Sequence, residues 1–476
     1  MSVVERDGGA RVVIVGGGLA GMAAAVALSK SGCRVQLVEA RRALGGRATS
    51  FRDPATGELI DHCQHVGMGC CTNLIDFCRR TGIDDLFRRD RTLLFIGPNG
   101  ERCRFGATPG LPAPLHLASS FWGLKYLSAR DRLAIMRAVW RLARLTDDEA
   151  AEGRTIGEWL VEQGQSPAAI EQFWSVVLVS ALGEQLDRAS LAAARKVIVD
   201  GFLVAREAYE VDIPQAPLGT VYDQRVASWF AKHGVDLRLG TAARRVTCVD
   251  TTQVELADGE ILRGDFVILA LPWHRIAEVV APDLAARLPW LAGLAAIESA
   301  PITGVHLWFD REITPLAHAV LVGRLSQWMF NRGRQAAEGS GEQGRTGHYY
   351  QVVISASRNL TGMDRDAIAR QVHDELAAIW PAAAEAKLLH WRVVTEHAAV
   401  FSVRPGIEAL RPSQQTEVNS LLVAGDWTAT GWPATMEGAV RSGYLAAEAI
   451  LARLGRPQRW LAPDLEREWL ARMLIR

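Results

Sequence analysis

This chain lacks an excess of charge of either sign. Its 53 lysines and arginines balance 53 aspartates and glutamates. A balanced chain offers no basic footprint for nucleic acid, so no nucleic-acid partner is expected. Cysteine is sparse too. The seven (Cys33, Cys63, Cys70, Cys71, Cys78, Cys103 and Cys248) form no CxxC pair and no Cys/His cluster at zinc spacing. That pattern argues against a disulfide scaffold and predicts no metal. Free thiols in a reducing compartment are the favoured reading, with Cys70-Cys71 as a redox pair the alternative. Long apolar runs are also missing. None reaches the ~20 residues that cross a bilayer, and the polar residues 1–10 do not read as a secretory leader. A cytoplasmic protein is expected, either free or lying peripherally on the cytoplasmic membrane. Its 476 residues suffice for two or three domains around a large core.

What the chain does have is concentrated in residues 12–47. Val12–Val15 is a short β-branched run, as in a strand buried on both faces. Gly16, Gly18 and Gly21 follow as G-x-G-x-x-G. Gly16 permits a tight turn, Gly18 lets the backbone approach a pyrophosphate, and Gly21 lets the helix pack on the strand. A helix opening at Leu19 and Ala20 and running to about Ser31 would aim its free N–H groups at the phosphates. Gly32 is placed to end it. Arg34–Val38 is the next strand, with Glu39 at its end. A carboxylate there, roughly 20 residues past the glycines, can accept both hydroxyls of an adenosine ribose. Ala40 and Arg41 follow at the same edge and join the candidate cofactor contacts.

The fingerprint alone does not separate NAD from FAD. The next turn, Leu44-Gly45-Gly46-Arg47-Ala48, resembles the GG-R motif of the flavin amine oxidase and phytoene desaturase superfamily. In that superfamily the glycine backbone and the arginine lie beside the FAD pyrophosphate. The resemblance therefore implies FAD, held in part by Gly45, Gly46 and Arg47.

The middle of the chain divides by pattern. Residues 90–106 read as a hairpin turning at Pro98-Asn99-Gly100. Residues 111–127, rich in Leu and Pro, suit either a buried lid or a segment that dips into a membrane surface. From Ser128 to Gln185 helices dominate, with Leu133, Met136, Trp140 and Leu145 at helical spacing. Strands are expected at 234–239, 246–249, 265–272, 305–309, 319–322 and 350–355, and a surface loop over 331–345. Residues 365–379 and 457–476 read as helices. Fifteen tryptophans are available; Trp122, Trp140, Trp174, Trp308, Trp427 and Trp432 are candidates to line an apolar site.

The C-terminal run 421–450 holds a second cofactor turn. An apolar strand meets Gly425-Asp426, and a helix opens near Met436-Glu437-Gly438-Ala439. Gly425 allows close approach. Asp426 can bind near a ribityl chain or pyrophosphate, and the helix start, with Met436, Glu437 and Ala439, can face a flavin edge. Val246 completes the candidate cofactor set. The two turns lie near opposite ends of the chain. The expected fold is α/β: a Rossmann-like, discontinuous FAD-binding domain (10–85, 212–300 and 392–455) enclosing an α+β substrate domain (86–211 and 301–391), with a terminal helix at 456–476.

Residues 423–450, supported by Pro301–Asp310 and Asp61–His65, closely resemble the bacterial hydroxysqualene dehydroxylases, or squalene-associated FAD-dependent desaturases. The likeness spans about residues 11–452. The family usually reads Asp-Asn-Gly-Gln-His where this chain has Asp61-His62-Cys63-Gln64-His65. The resemblance implies reductive loss of an allylic hydroxyl from a long apolar isoprenoid, in squalene and hopanoid synthesis. It places Gln64 and His65 near the flavin ring. His65 is the candidate acid or orienting group, with His62 and Asp61 behind it. No second dinucleotide fingerprint marks an NAD(P)H site, so the reductant is unassigned. Three rivals stand beside this reading. One is a carotenoid or phytoene desaturase. Another is an amine oxidase, disfavoured because Thr435 replaces the usual aromatic and Pro301–Asp310 has no lysine. The third is a non-catalytic scaffold that keeps FAD for stability.

Overall fold

The computed structural model describes residues 9–146, 149–150, 153–248, 251–335 and 347–475. Two sheets organise them. The first is parallel, in the order Asp236–Leu239, Arg34–Glu39, Arg11–Val15, Phe266–Leu269 and Leu421–Val423. Its strands come from both ends and the middle of the chain. Val12 to Val15 are all buried, as expected for a strand covered on both faces. The helix Leu19–Lys30 is buried along most of its length and packs against the helix Met436–Arg453. This is the Rossmann-like half of an α/β fold.

The second sheet has seven strands: Leu388–Phe401, Ser299–Phe309, Gly347–Ile354, Trp328–Gln335, His318–Leu321, Thr92–Ile96 and Arg102–Gly106. Strand periodicity sorts its side chains. Ile96, Leu321, Met329 and Val352 pack toward the helix Arg365–Ile379. Phe95, Val320, Phe330 and Val353 face the opposite way, into a cavity roofed by helices between 129 and 203.

The expected hairpin forms, with Thr92–Ile96 antiparallel to Arg102–Gly106. Several expectations need correction. Strand Trp328–Gln335 occupies the first part of the loop expected over 331–345, because it pairs with Gly347–Ile354; residues 336–346 lie outside the described set. Residues 457–468 hold no regular element, and the terminal helix is only Trp469–Leu474. Pro457 and Pro463 explain this, since proline cannot continue a helix. Glu448 pins the extended run by accepting the N–H groups of Trp460 and Leu461 at 2.6 and 2.7 Å. The domain limits at 300/301 and 391/392 fall inside strands Ser299–Phe309 and Leu388–Phe401, so both strands belong whole to the second sheet. The helix Ala129–Arg144 exists, but it buries Ile135, Ala138 and Leu142 and turns Leu133, Met136 and Trp140 outward. Trp174 and Trp308 are core residues that do not line the cavity.

Candidate active site

One cavity of about 1250 Å³ runs from the first glycine turn to the seven-stranded sheet. Its two ends differ. The end at the parallel sheet is a polar cradle. Gly16, Gly18, Leu19, Ala20, Glu39, Ala40, Arg41, Gly45, Gly46 and Arg47 line it. Gly21 lies behind them, where a Cβ would come 2.0 Å from the Gly16 carbonyl oxygen. A Cβ on Gly18 would meet only the Gly46 Cα, at 4.0 Å, and otherwise fill open cavity. The helix that Gly18 caps has no side-chain cap and no acid in its first turn, so its leading N–H groups are free for an anion. Glu39 is held in place by backbone: one carboxylate oxygen accepts the Gly17 N–H at 2.6 Å, the other the Arg41 N–H at 2.8 Å.

The two cofactor turns meet through an ion pair. Arg47 Nη2 lies 2.5 Å from Asp426 Oδ1, and Arg47 Nη1 donates to the Ala399 carbonyl at 2.8 Å. Asp426 is nearly buried. Gly425 donates its N–H to Ser442 Oγ at 2.8 Å, which seats the turn on the helix Met436–Arg453. Gly425, Asp426, Met436, Glu437 and Ala439 all border the cavity. Glu437, however, uses its side chain elsewhere. Its carboxylate accepts Asn73 Nδ2 at 2.8 Å and the Leu74 N–H at 2.8 Å, capping the helix Thr72–Thr81. Burial pushes its carboxyl up. Thr435 is the N-cap of its own helix, accepting the Gly438 N–H at 3.1 Å.

Between cradle and chamber stands the run His62-Cys63-Gln64-His65, every residue of which lines the cavity. His65 Nδ1 lies 2.9 Å from the Cys63 carbonyl oxygen. Nδ1 must therefore carry the proton, and Nε2 is the atom left for chemistry. Burial, aided by the Arg47 charge, holds the His65 imidazole below its ordinary value against the pull of that carbonyl. Burial lowers His62 as well, opposed by Glu396. Gln64 Nε2 donates to the His65 carbonyl at 3.2 Å, while its Oε1 is buried without a partner. His306 packs behind this loop: its Nδ1 sits 2.7 Å from the Tyr349 hydroxyl, and burial takes it down to about 3.

Two expected site residues are elsewhere. Asp61 does not line the cavity. It ends the short strand Leu59–Asp61, and alternation turns it toward Ser50 Oγ (2.6 Å) and the Leu218 N–H (2.8 Å). Val246 is fully buried in a three-stranded sheet, and its carbonyl is taken by the Ala281 N–H. Sequence reasoning also missed a polar pair. Lys196 Nζ lies 2.7 Å from Asp200 Oδ2 and 4.6 Å from the centre of the Trp432 ring, and all three line the cavity. The pair was visible only as an i,i+4 salt bridge, which sequence places on a solvated face. Cys70 and Cys71 also border the cavity, but a hydrogen bond with Cys70, then burial, push the Cys71 thiol far up, away from the thiolate that redox chemistry needs.

The far chamber is apolar. Phe95, Phe105, Leu117, Phe121, Phe173 and Val177 are among its walls. The residues present fit FAD. The Gly18 gap, the free helix start and the fixed Glu39 suit an adenosine diphosphate. Buried Gln64 Oε1 and Trp432 Nε1, both unpartnered among the described residues, suit the donor and acceptor edge of a flavin ring.

Residues 19–451 match the model of the flavin containing amine oxidoreductase family. A hydroxysqualene dehydroxylase of Rhodopseudomonas palustris is 28% identical over 445 residues, 93% of this chain and 98% of that one. A 15-cis-phytoene desaturase of Solanum lycopersicum is 24% identical over 466 residues, 92% of this chain and 77% of that one. The fold is shared with a crystal structure of an oxidoreductase from Methanosarcina mazei, with TM-score 0.68 and 16% identity over 91% of this chain and 98% of that one. The match spans both cofactor turns except the first glycines, which the geometry supplies. The chain belongs to the flavin containing amine oxidoreductase family and is an FAD-dependent oxidoreductase.

Proposed function

We propose that the chain carries out the reductive dehydroxylation of hydroxysqualene to squalene. The carrying observation is the continuity of one cavity, polar at the cradle and apolar beyond it, with its imidazoles at the joint. A relative bearing that activity in its name aligns along nearly all of its own length.

The net exchange balances as R–OH plus a proton plus a hydride giving R–H plus water. Reduced FAD supplies the hydride and both electrons. The protein's own residues supply the rest. The apolar chamber orders the isoprenoid and excludes water. Gly18, Gly46, Glu39, Arg47 and Asp426 would hold the cofactor, with Gln64 orienting at the joint. His65, protonated at Nε2, gives the leaving hydroxyl its proton; the C–O bond then breaks to an allylic cation that the new C–H bond quenches. A low imidazole pKa makes the protonated form a ready donor. His62 lines the same wall. Asp61 is turned away, onto Ser50, the Leu218 N–H and, at 4.0 Å, Arg332. The amine-oxidase alternative loses support because Thr435 is spent as a helix cap.

The test is anaerobic. Reduced flavoprotein is mixed with detergent-dispersed hydroxysqualene, flavin reoxidation is followed, and the lipid is analysed by mass spectrometry. Squalene appearing in step with reoxidation is the expected result. Flavin that stays reduced over unchanged alcohol overturns the reading. Activity of the oxidised enzyme on phytoene would replace it with polyene desaturation, the chemistry named for the second relative.

A further inference from the structure

The cavity opens where apolar side chains are exposed. Leu115, Trp122, Met136 and Trp140 both line it and reach solvent, so they form its rim. On the helix Ala129–Arg144, Leu133, Met136 and Trp140 are 44%, 43% and 45% exposed. They sit three and four residues apart, in one stripe. Arg137 and Arg144 fall within that stripe, and Arg141, which donates to Gln163 Oε1 at 2.6 Å, flanks it.

The helix carries five arginines (130, 132, 137, 141 and 144) and a single acid, Asp131. Asp131 is engaged by Ser128 and Ser166, each at 2.6 Å. None of the five arginines forms an ion pair among the described residues. Arg132 lies 5.6 Å from the Trp122 ring centre and Arg144 lies 5.3 Å from that of Trp140, so cation and aromatic alternate. The terminal helix extends the surface. Trp469 and Met473 are 64% and 72% exposed, while Leu474 and Ile475 turn back into the cavity wall. Glu468 pins this helix beside the rim by accepting the N–H groups of Ala113 and Arg206, both at 2.9 Å. Single exposed apolar residues need no explanation. Here eight of the eleven large ones among the described residues fall on segments 111–122, 133–140 and 469–473, around one opening.

We infer that this surface docks the protein on an anionic phospholipid bilayer with the cavity mouth against the lipid. The charge pattern selects that occupant. Apolar and tryptophan side chains enter the headgroup boundary while arginines meet lipid phosphates. No helix among the described residues is long and apolar enough to cross a membrane, so the contact is interfacial. The inference rests on the apolar-substrate reading of the cavity: a water-insoluble isoprenoid would enter from the bilayer without crossing water.

Cosedimentation of the FAD-loaded protein with vesicles tests it. Vesicles of phosphatidylcholine alone are compared with an equal mixture of phosphatidylcholine and phosphatidylglycerol. Strong binding to the mixture, weak binding to the neutral vesicles, and release by salt are expected. The double variant Arg141→Gln/Arg144→Gln should bind the mixture roughly thirtyfold more weakly. Leu133→Glu/Met473→Glu should lose both modes. Both variants should keep the flavin spectrum and the turnover of detergent-dispersed hydroxysqualene. Equal binding by the wild type and both variants overturns the inference, as does no binding to the mixture. A dimer in solution that Leu133→Glu/Met473→Glu dissociates also overturns it and gives the face to a second copy. Vesicle binding without hydroxysqualene turnover would sink only the functional reading; turnover without vesicle binding would sink only this one.

Discussion

The cradle and the chamber are two ends of one cavity built by opposite means. The cradle is shaped by backbone: glycine gaps, a bare helix start, and a carboxylate fixed by two N–H groups. The chamber is enclosed by side-chain bulk drawn from a hairpin, the 111–127 segment, several helices and the far sheet. Backbone recognition demands particular residues at particular spacing. Enclosure by bulk accepts any apolar residue of about the right volume. One end therefore has a sequence signature, and the other has almost none.

The largest expected effect lies at the joint. His65→Ala should slow flavin reoxidation by hydroxysqualene by roughly 10²–10⁴-fold, the usual contribution of a positioned acid. The sign of the pH dependence follows from the lowered His65 pKa. The acid form exists below that pKa, so the wild-type rate should be highest in acid and fall as pH rises through a midpoint under about 6.5. Stopped-flow reoxidation across pH measures it. A flat profile through that window would take proton donation away from His65.

The next effect separates the two ends by stability. Trp174 is fully buried behind the chamber and donates to Gln165 Oε1 at 2.9 Å. Trp174→Ala should cost about 3–5 kcal/mol of stability, with the flavin-to-protein ratio of the folded enzyme unchanged. Thermal melts followed by flavin fluorescence and by circular dichroism would read both. Loss of flavin affinity in step with stability would mean that cradle and chamber form one energetic unit. Glu39→Ala is the converse at the cradle. Losing a charged acceptor costs about 1.5–3 kcal/mol, so FAD should bind about tenfold to a hundredfold more weakly by fluorescence titration. The melting of flavin-free protein should fall less than for Trp174→Ala, since only the Gly17 and Arg41 N–H bonds are lost.

The same contrast explains what could be read beforehand. The strand–turn–helix of residues 12–30, Glu39, and the Gly45–Arg47 and Gly425–Asp426 turns were legible, because each is a local pattern with a physical reason for its spacing. The pairing of Arg47 with Asp426 was not, since it joins residues from opposite ends of the chain. Glu437 looked like a flavin contact because it opens a helix at the second turn. Only the fold shows its carboxylate capping the helix Thr72–Thr81. Trp140 and Met136 have the spacing of a core face, yet the core of that helix is built from Ile135, Ala138 and Leu142. Helical period locates a stripe but does not say what covers it.

Asp61 sharpens this point with the smallest expected effect. Contiguity with Gln64 and His65 made it a candidate for the site, yet strand alternation sends it to the other side, onto Ser50 and Leu218. Asp61→Asn keeps an acceptor there and should alter the reoxidation rate by less than about threefold, far below the general-acid range. Its signature is in stability instead. Burial raises the Asp61 carboxyl above its ordinary value, with Arg332 pulling the other way. A raised acid contributes stability that is complete at low pH and lost as pH rises through the folded-state value. An amide cannot titrate. The stability of Asp61→Asn relative to the wild type should therefore improve from acid toward neutral pH, as measured by urea melts along that range. A large rate loss with no such trend would return Asp61 to the reacting site and make the joint a five-residue run, Asp61–His65.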